Sequence, residues 1–324
     1  MENRNQNTKA VVEAGMVSAL VVLITLVSMY LGLSGYAGVC ILPIPITIIY
    51  LRQNLKISLI TVLVSTILVG LLFNPLQAIA NTFLMGLIGT ALGYCIKSKF
   101  SSMKTYAIFG LVVAAGAFIY TLIYAELVSG IGIYALVDDM LKRMVSITVK
   151  SIGNTNLNSQ QKTLLASIKR LDTKSVLKLL PAALTVTGFI FAYINYQITA
   201  KVSKRLKYEI KKMIPLTRVY IPNKFGSFMI IIVLIGYILT LNKIFIGDYI
   251  WQSALLILAS ALAISGMSLT AYYLRNNYKV SKKIVIVIFV AAFIFSLYQT
   301  FVILGLVDLV MNFRKLDPNP ILKK

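Results

Sequence analysis

From Leu177 to Ala200 the chain runs the length of a bilayer with no formal charge except Lys178 at its edge. About 20 apolar residues of helix cross a hydrocarbon core. No water is available there, so each backbone group must be bonded within its own segment, and the run can only be helical. Further apolar runs follow the same plan at about 10–33, 36–51, 56–73, 76–96, 105–128, 227–246, 250–274 and 284–311. The second is short and holds Pro43 and Pro45, which free backbone groups and suit a kinked span or a re-entrant segment. The sequence therefore predicts an all-α, polytopic transmembrane helical bundle of about 8–9 spans.

Composition agrees. Apolar residues make up 58% of the chain and charged residues only 13%, about half the share found in soluble domains. A water-facing surface could not be covered with so few polar groups. The N-terminus is polar through Lys9 and then apolar to Leu33. That is too long for the apolar core of a signal peptide, so it reads as a retained first span.

The net charge of +22 is carried between the apolar runs. This placement matches the positive-inside pattern and anionic lipid headgroups, and argues against a nucleic-acid-binding face. With a cytoplasmic N-terminus, one set of connections gathers Arg4, Lys9, Arg52, Lys56, Lys97, Lys99, Lys104, the basic residues from Lys201 to Lys224, and Arg275 to Lys283. The short connections on the other side hold Lys243. The expected location is the plasma membrane, with 129–176 outside. A ninth span would put the basic tail, with Arg314 and Lys315, outside as well. Either the tail is external despite its charge or one segment does not cross, the second and the last being the suspects. Cys40 and Cys95 lie in apolar runs and read as small core residues. There is no histidine, which removes the commonest metal ligand and general base. No catalytic set is evident, so an enzyme is not expected, nor a metal or cofactor.

Two connections are more than linkers. Val137, Leu141, Met144 and Ile147 follow helical spacing opposite Asp138, Lys142, Arg143 and Lys150, and Leu164 to Leu171 suggest a second short amphipathic helix. On the basic side, Leu206, Ile210, Met213 and Ile214 alternate with Lys204 to Lys212, which predicts an interfacial helix ending before Pro215.

Three constellations could carry function. Ala10, Ala14 and Ser18, spaced by four, make a small-residue ridge on the first span, suited to another protein's helix or to this chain's own. Gly86, Gly89 and Gly93 provide a close-packing step. Asn74, Gln77 and Asn81 form a polar stripe where the fourth span begins. Tyr120 and Tyr124 share a face of the fifth span with Glu126 close by, and Lys178, Pro181 and Thr185 open the sixth. Under the assigned topology these fall at one depth. They either line a site for a small polar solute or bond to one another and to the headgroup zone. Asp308, followed by Arg314, reads as an interfacial pair.

The chain resembles the YybS-like predicted membrane proteins of Gram-positive bacteria. The likeness rests on Leu-Pro-Ile-Pro at 42–45 followed by Tyr50-Leu51-Arg52, on the Asn74-Pro75 turn, and on Gly305-Leu306-Val307-Asp308 running to Asn312-Phe313-Arg314. That family is in turn similar to the substrate-binding S components of energy-coupling-factor transporters. The resemblance implies an S-like six-helix unit at 1–202, including the external amphipathic connection 129–176. It implies a ligand near the outer face, and a first-helix ridge (here Ala10, Ala14 and Ser18) against a membrane coupling subunit. Glu13 beside the ridge, the long outer connection and the spans beyond residue 202 depart from that pattern. The rest divides into a cytoplasmic basic interfacial helix and linker at 203–226 and additional transmembrane helices with a tail at 227–324. Three functional classes follow: a transporter-like component binding a small solute, alone or as an oligomer; a non-catalytic scaffold or regulator recruiting partners through its basic face; and, weakest for want of an acid/base pair or nucleophile, an intramembrane enzyme.

Overall fold

The computed structural model describes residues 2–31, 41–152, 172–208, 210–295 and 297–319, and every regular element among them is helical. In chain order these are α1 (Glu2–Tyr30), α2 (Pro43–Arg52), α3 (Leu55–Leu72), α4 (Pro75–Lys97), α5 (Ser102–Val128), α6 (Gly132–Ile152), α7 (Thr173–Arg205), α8 (Asn223–Leu241), α9 (Phe245–Asn276), α10 (Lys282–Ile294) and α11 (Tyr298–Met311). Seven are long and apolar enough to cross a membrane: α1, α3, α4, α5, α7, α8 and α9. The last two form a pair bent by 118°, which gives an eighth if counted as one span. The polytopic helical bundle is therefore as the sequence predicts.

The chain divides into two compact units, residues 1–177 with 187–213, and residues 178–186 with 214–324. In the first unit α1 and α3 run parallel. Ser18 donates to the Thr61 carbonyl, and at the far end Tyr30 meets Phe73 edge-on at 6.1 Å. Glu13 bonds Arg52 at 2.7 Å and Gln53 at 2.8 Å, just before α3 begins. By residue 53 the chain has therefore returned to the side where α1 starts, although α2 itself has only 10 residues, about 15 Å of helix. α2 lies against α4 along the glycine step. A Cβ on Gly89 would sit 2.5 Å from the Pro43 carbonyl oxygen, and one on Gly93 2.7 Å from Tyr50. Thr47 donates across this contact to the Gly89 carbonyl at 2.9 Å. The core is Phe109, Val113, Leu92, Ile88, Met85, Ile46, Leu42 and Val62, closed by Ala192 and Tyr196 of α7.

In the second unit α8 and α9 form an antiparallel hairpin, with Gly236 against Trp251 and Gly247 against Thr240. α9 and α11 meet at Gly266 and Gly305, where a Cβ on either would lie 1.9 Å from a carbonyl oxygen of the other helix. Asn312 ends α11 in the left-handed region, and its side chain accepts from the Leu316 and Asp317 amides. Asp317 then accepts from the Asn223 amide at 2.7 Å, capping the start of α8. The tail through Asn319 thus lies at the end of this unit where α8 begins. The bent pair explains it, since the last apolar run does not continue as one straight span.

The expected basic helix over 204–214 is not there. α7 ends at Arg205, and the described residues from Leu206 to Pro215 are turn and irregular chain. Their backbone is held from outside: Tyr196 Oη donates to the Lys211 carbonyl at 2.6 Å and Ser102 Oγ to that of Lys212 at 2.9 Å. Ile210 and Met213 meanwhile pack on the core. These bonds and contacts outweigh the weak helical preference of a segment this short.

α4, α7 and α8 close alike. Lys99, Lys207 and Lys243 take positive φ of 54°, 63° and 58°. The next amide in each case donates to the carbonyl five residues back, Phe100 to Cys95, Tyr208 to Ser203 and Ile244 to Leu239. This is the glycine-type helix stop, here made by lysine.

Candidate functional site

Two π-helical turns define the polar end of the first unit. In Ile79–Phe83 of α4 the Leu84 amide donates to the Ile79 carbonyl, and beyond Tyr124–Val128 of α5 the Ser129 amide donates to the Tyr124 carbonyl at 2.8 Å. Such turns insert one residue, re-aim side chains and are frequent at functional sites. They are neighbours, since Pro75–Ala78 lies against Tyr124–Val128 and Ile79–Phe83 against α5.

Asn81 occupies the first π turn and is 6% exposed. Its side chain makes no hydrogen bond to another described residue. The adjacent Thr82 hydroxyl is buried and also lacks a partner among the described residues. Tyr124 and Glu126 lie in the second turn. Tyr120, one turn earlier, is stacked on Tyr124 with centroids 6.0 Å apart and packs on the core. Glu126 is exposed near Gly132, where a Cβ would lie 3.6 Å from its carboxylate. Gln77 is half-buried on the short helix touching the second turn. The elements of Gln77, Asn81, Tyr120, Tyr124 and Glu126 are thus brought together.

Other candidates fall elsewhere. Asn74 is exposed and occupied in capping, its Oδ1 accepting from the Leu76 amide at 2.8 Å. Lys178 pairs with Asp248 at 2.6 Å within the second unit, and Thr185 bonds the Pro181 carbonyl on its own helix. α6 forms as expected, joined to the start of α7 by Thr173 donating to Asp138. Hydrogen bonds from Lys142 and Thr173 hold the Asp138 carboxyl below the usual carboxylate range. The second amphipathic helix expected at 164–171 lies outside the described residues.

The ridge is corrected by burial. Ala10, Ala14 and Ser18 are all more than nine-tenths buried, on the face of α1 that meets α3 and α2. Glu13 is turned to Arg52 rather than toward a partner. The ridge therefore packs within this chain and is not open to a coupling subunit. Opposite it, Ser58, Thr61 and Ser65 make a hydroxyl stripe on α3 that the sequence reading missed. Its spacing of three and four was the available signal.

In the second unit Asp308 and Arg314 do pair, at 2.6 Å, but with 6% and 1% of their side chains exposed instead of at an open interface. Arg314 also donates to the Thr217 carbonyl and to the hydroxyls of Ser265 and Ser268. The single Ser268 proton is in turn shared between the Leu216 and Val219 carbonyls. Asp308 Oδ1 and Arg314 Nε have no partner among the described residues, yet the two charges neutralise one another. Among the described residues no cluster of acids or cysteines could hold a metal ion.

Among relatives, the chain is 23% identical over 318 residues to the "Uncharacterized protein YybS" of Bacillus subtilis (strain 168), covering 95% of this chain and 98% of the relative. No solved structure matches the chain. The family described as "Predicted membrane protein (DUF2232)" matches residues 19–309, most of the 324-residue chain and nearly all of its helices, and the chain belongs to that family.

Proposed function

We propose that the first unit binds a small, uncharged polar solute at its two π turns, and that the protein is a non-enzymatic, transporter-like component or receptor of the plasma membrane. The observation that carries this reading is the side chain of Asn81, 6% exposed and without a hydrogen bond to another described residue, beside the fully buried Thr82 hydroxyl that also lacks one. The amide offers two donors and an acceptor to a ligand, and a fully buried hydroxyl left unbonded, as at Thr82, costs about 1–3 kcal/mol. Such a cost persists where a ligand repays it. Tyr120 and Tyr124, stacked on the neighbouring helix, add aromatic faces, and Glu126 of the same turn is exposed, so the bound species needs no compensating charge. The Lys/Arg distribution supports a cytoplasmic N-terminus, with α6 outside. The resemblance to S components read from the sequence would place a solute site at the outer end.

The test is mass spectrometry of small molecules retained by the gently purified protein, with Asn81→Ala beside it. A retained solute whose affinity falls roughly 5- to 150-fold in the variant is expected. A protein that retains no solute, and whose thermal stability drops on Asn81→Ala, would refute the reading.

A further inference from the structure

We infer that the described residues 205–208 and 210–212, with the turn 99–104, form a binding site for the phosphate-bearing headgroup of an anionic phospholipid. The inference is independent of the solute site and starts from the missing helix. Had 204–214 been helical, its cations would have been spread along a rod. The structure instead folds this segment back on the turn between α4 and α5. Ser102 Oγ and Tyr196 Oη hold its backbone, and Lys211 Nζ donates to the Lys99 carbonyl at 3.0 Å. Segments far apart in sequence thereby bring Lys99, Lys104, Arg205, Lys207, Lys211 and Lys212 to one end of the first unit.

All six are exposed, and among the described residues none has a carboxylate within ion-pair distance. Against these six cations the two segments carry one acid in sequence, Glu209, which leaves a net charge of +5 (6 − 1); like charges crowded this way repel one another, so the arrangement calls for counter-anions. The site lies where α4, α5 and α7 leave the apolar stretch of the bundle, at headgroup depth. Apolar side chains are interleaved with the cations: Leu206 and Tyr208 are each 38% exposed and Met103 50%. Lys104 sits over the Phe100 ring at 4.4 Å. Cations mixed with exposed Leu, Met and Tyr suit the boundary between headgroups and acyl chains, where such side chains are buried by lipid. A nucleic acid or an acidic protein would leave that apolar surface in water.

Lipid attraction of about 1 kcal/mol per basic residue near an anionic surface corresponds to roughly fivefold in affinity per cation. The full-length protein in a neutral detergent is titrated with phosphatidylglycerol, and with phosphatidylcholine of the same acyl chains, using native mass spectrometry. Tighter binding of phosphatidylglycerol, falling as salt rises, is expected. The triple variant Arg205→Gln, Lys207→Gln, Lys212→Gln should weaken it by roughly 100-fold. The charge-keeping Arg205→Lys, Lys207→Arg, Lys212→Arg should retain it. Lys279→Gln, Lys282→Gln, Lys283→Gln, which removes equal charge in the second unit, should leave it within about threefold. If the first triple unfolds, Lys207→Gln alone should still show a loss of about fivefold. Equal losses from both neutralised triples would reduce the effect to net charge and overturn the site. So would equal binding of the two lipids, or an oligonucleotide or acidic protein that phosphatidylglycerol vesicles cannot displace. Free inorganic phosphate that competes at millimolar concentration would show an anion site without lipid preference, and would also overturn it.

Discussion

The two units bury polar groups in opposite ways. In the second, Arg314 and Asp308 are deep in the protein, but their charges meet and the guanidinium is surrounded by carbonyls and hydroxyls of its own chain. In the first, Asn81 is equally deep and bonds to no described residue. A buried charge neutralised by its own fold explains itself as architecture, even with Asp308 Oδ1 and Arg314 Nε unpartnered among the described residues. A buried group with its bonds open calls for something further, and this is why the functional reading attaches to the uncharged amide rather than to the ion pair. Both sites stand out in sequence as polar residues in apolar helices, so their contrast is visible only in three dimensions.

The sharpest way to break this contrast is to remove the cation. Arg314→Ala leaves Asp308 buried and unpaired, which should destabilise the second unit by about 3–5 kcal/mol. Replacing both partners by Arg314→Met with Asp308→Leu should recover much of the loss. Both are measured by thermal unfolding in detergent. An Arg314→Ala protein as stable as the parent would show that the pair is not the structural element described.

Gly89→Ala should cost about 1–3 kcal/mol, because the new methyl would lie 2.5 Å from a carbonyl oxygen that cannot rotate away. Asn81→Leu should act with the opposite sign. Without ligand, removing an unpartnered amide should leave the melting temperature unchanged or raise it, by up to about 1–3 kcal/mol of stability, while abolishing solute retention. A melting temperature that falls would place Asn81 in the same class as Arg314 and end the contrast.

The smallest effect concerns Asp138. Its carboxyl titrates below the ordinary carboxylate range because Lys142 and Thr173 bond the charged form. A depressed folded-state pKa gives stability that is present above the unfolded value and lost as pH falls through the folded one. The protection factors of α6, corrected for the intrinsic pH dependence of amide exchange, should therefore be unchanged from neutral pH down to the usual carboxylate range and fall only below it. Asp138→Asn should remove that dependence. Separately, Ser146→Cys in a background lacking Cys40 and Cys95 should label with an impermeant reagent in intact cells. Protection there would reverse the proposed orientation.

Much of the bundle was legible because a bilayer asks one simple question of each segment: whether it is apolar for long enough. The Gly86-Gly89-Gly93 step and the Asp308–Arg314 pair were likewise readable from spacing. What could not be read depended on partners distant in sequence. The ridge at Ala10, Ala14 and Ser18 looks the same whether it faces α3 or another protein, and only the match with Ser58, Thr61 and Ser65 decides it. Residues 206–214 have helical spacing, yet Ser102 and Tyr196 hold them in another conformation. The π turns leave no mark at all in sequence, because one inserted residue shifts a face without changing composition.

The lysines that stop α4, α7 and α8 have a practical consequence. A side chain in the left-handed region costs roughly 1 kcal/mol relative to glycine, and a cation at a helix C-terminus returns about 0.3–1 kcal/mol. The balance at each stop is close to zero, so these positions are free to be tuned. Lys243 belongs to the second unit and is not one of the proposed lipid contacts, so Lys243→Gly offers strain relief without altering them. At Lys99 and Lys207 the same change would trade anchoring for rigidity. A hardened molecule for experimental structure determination is best sought first at the α8 stop.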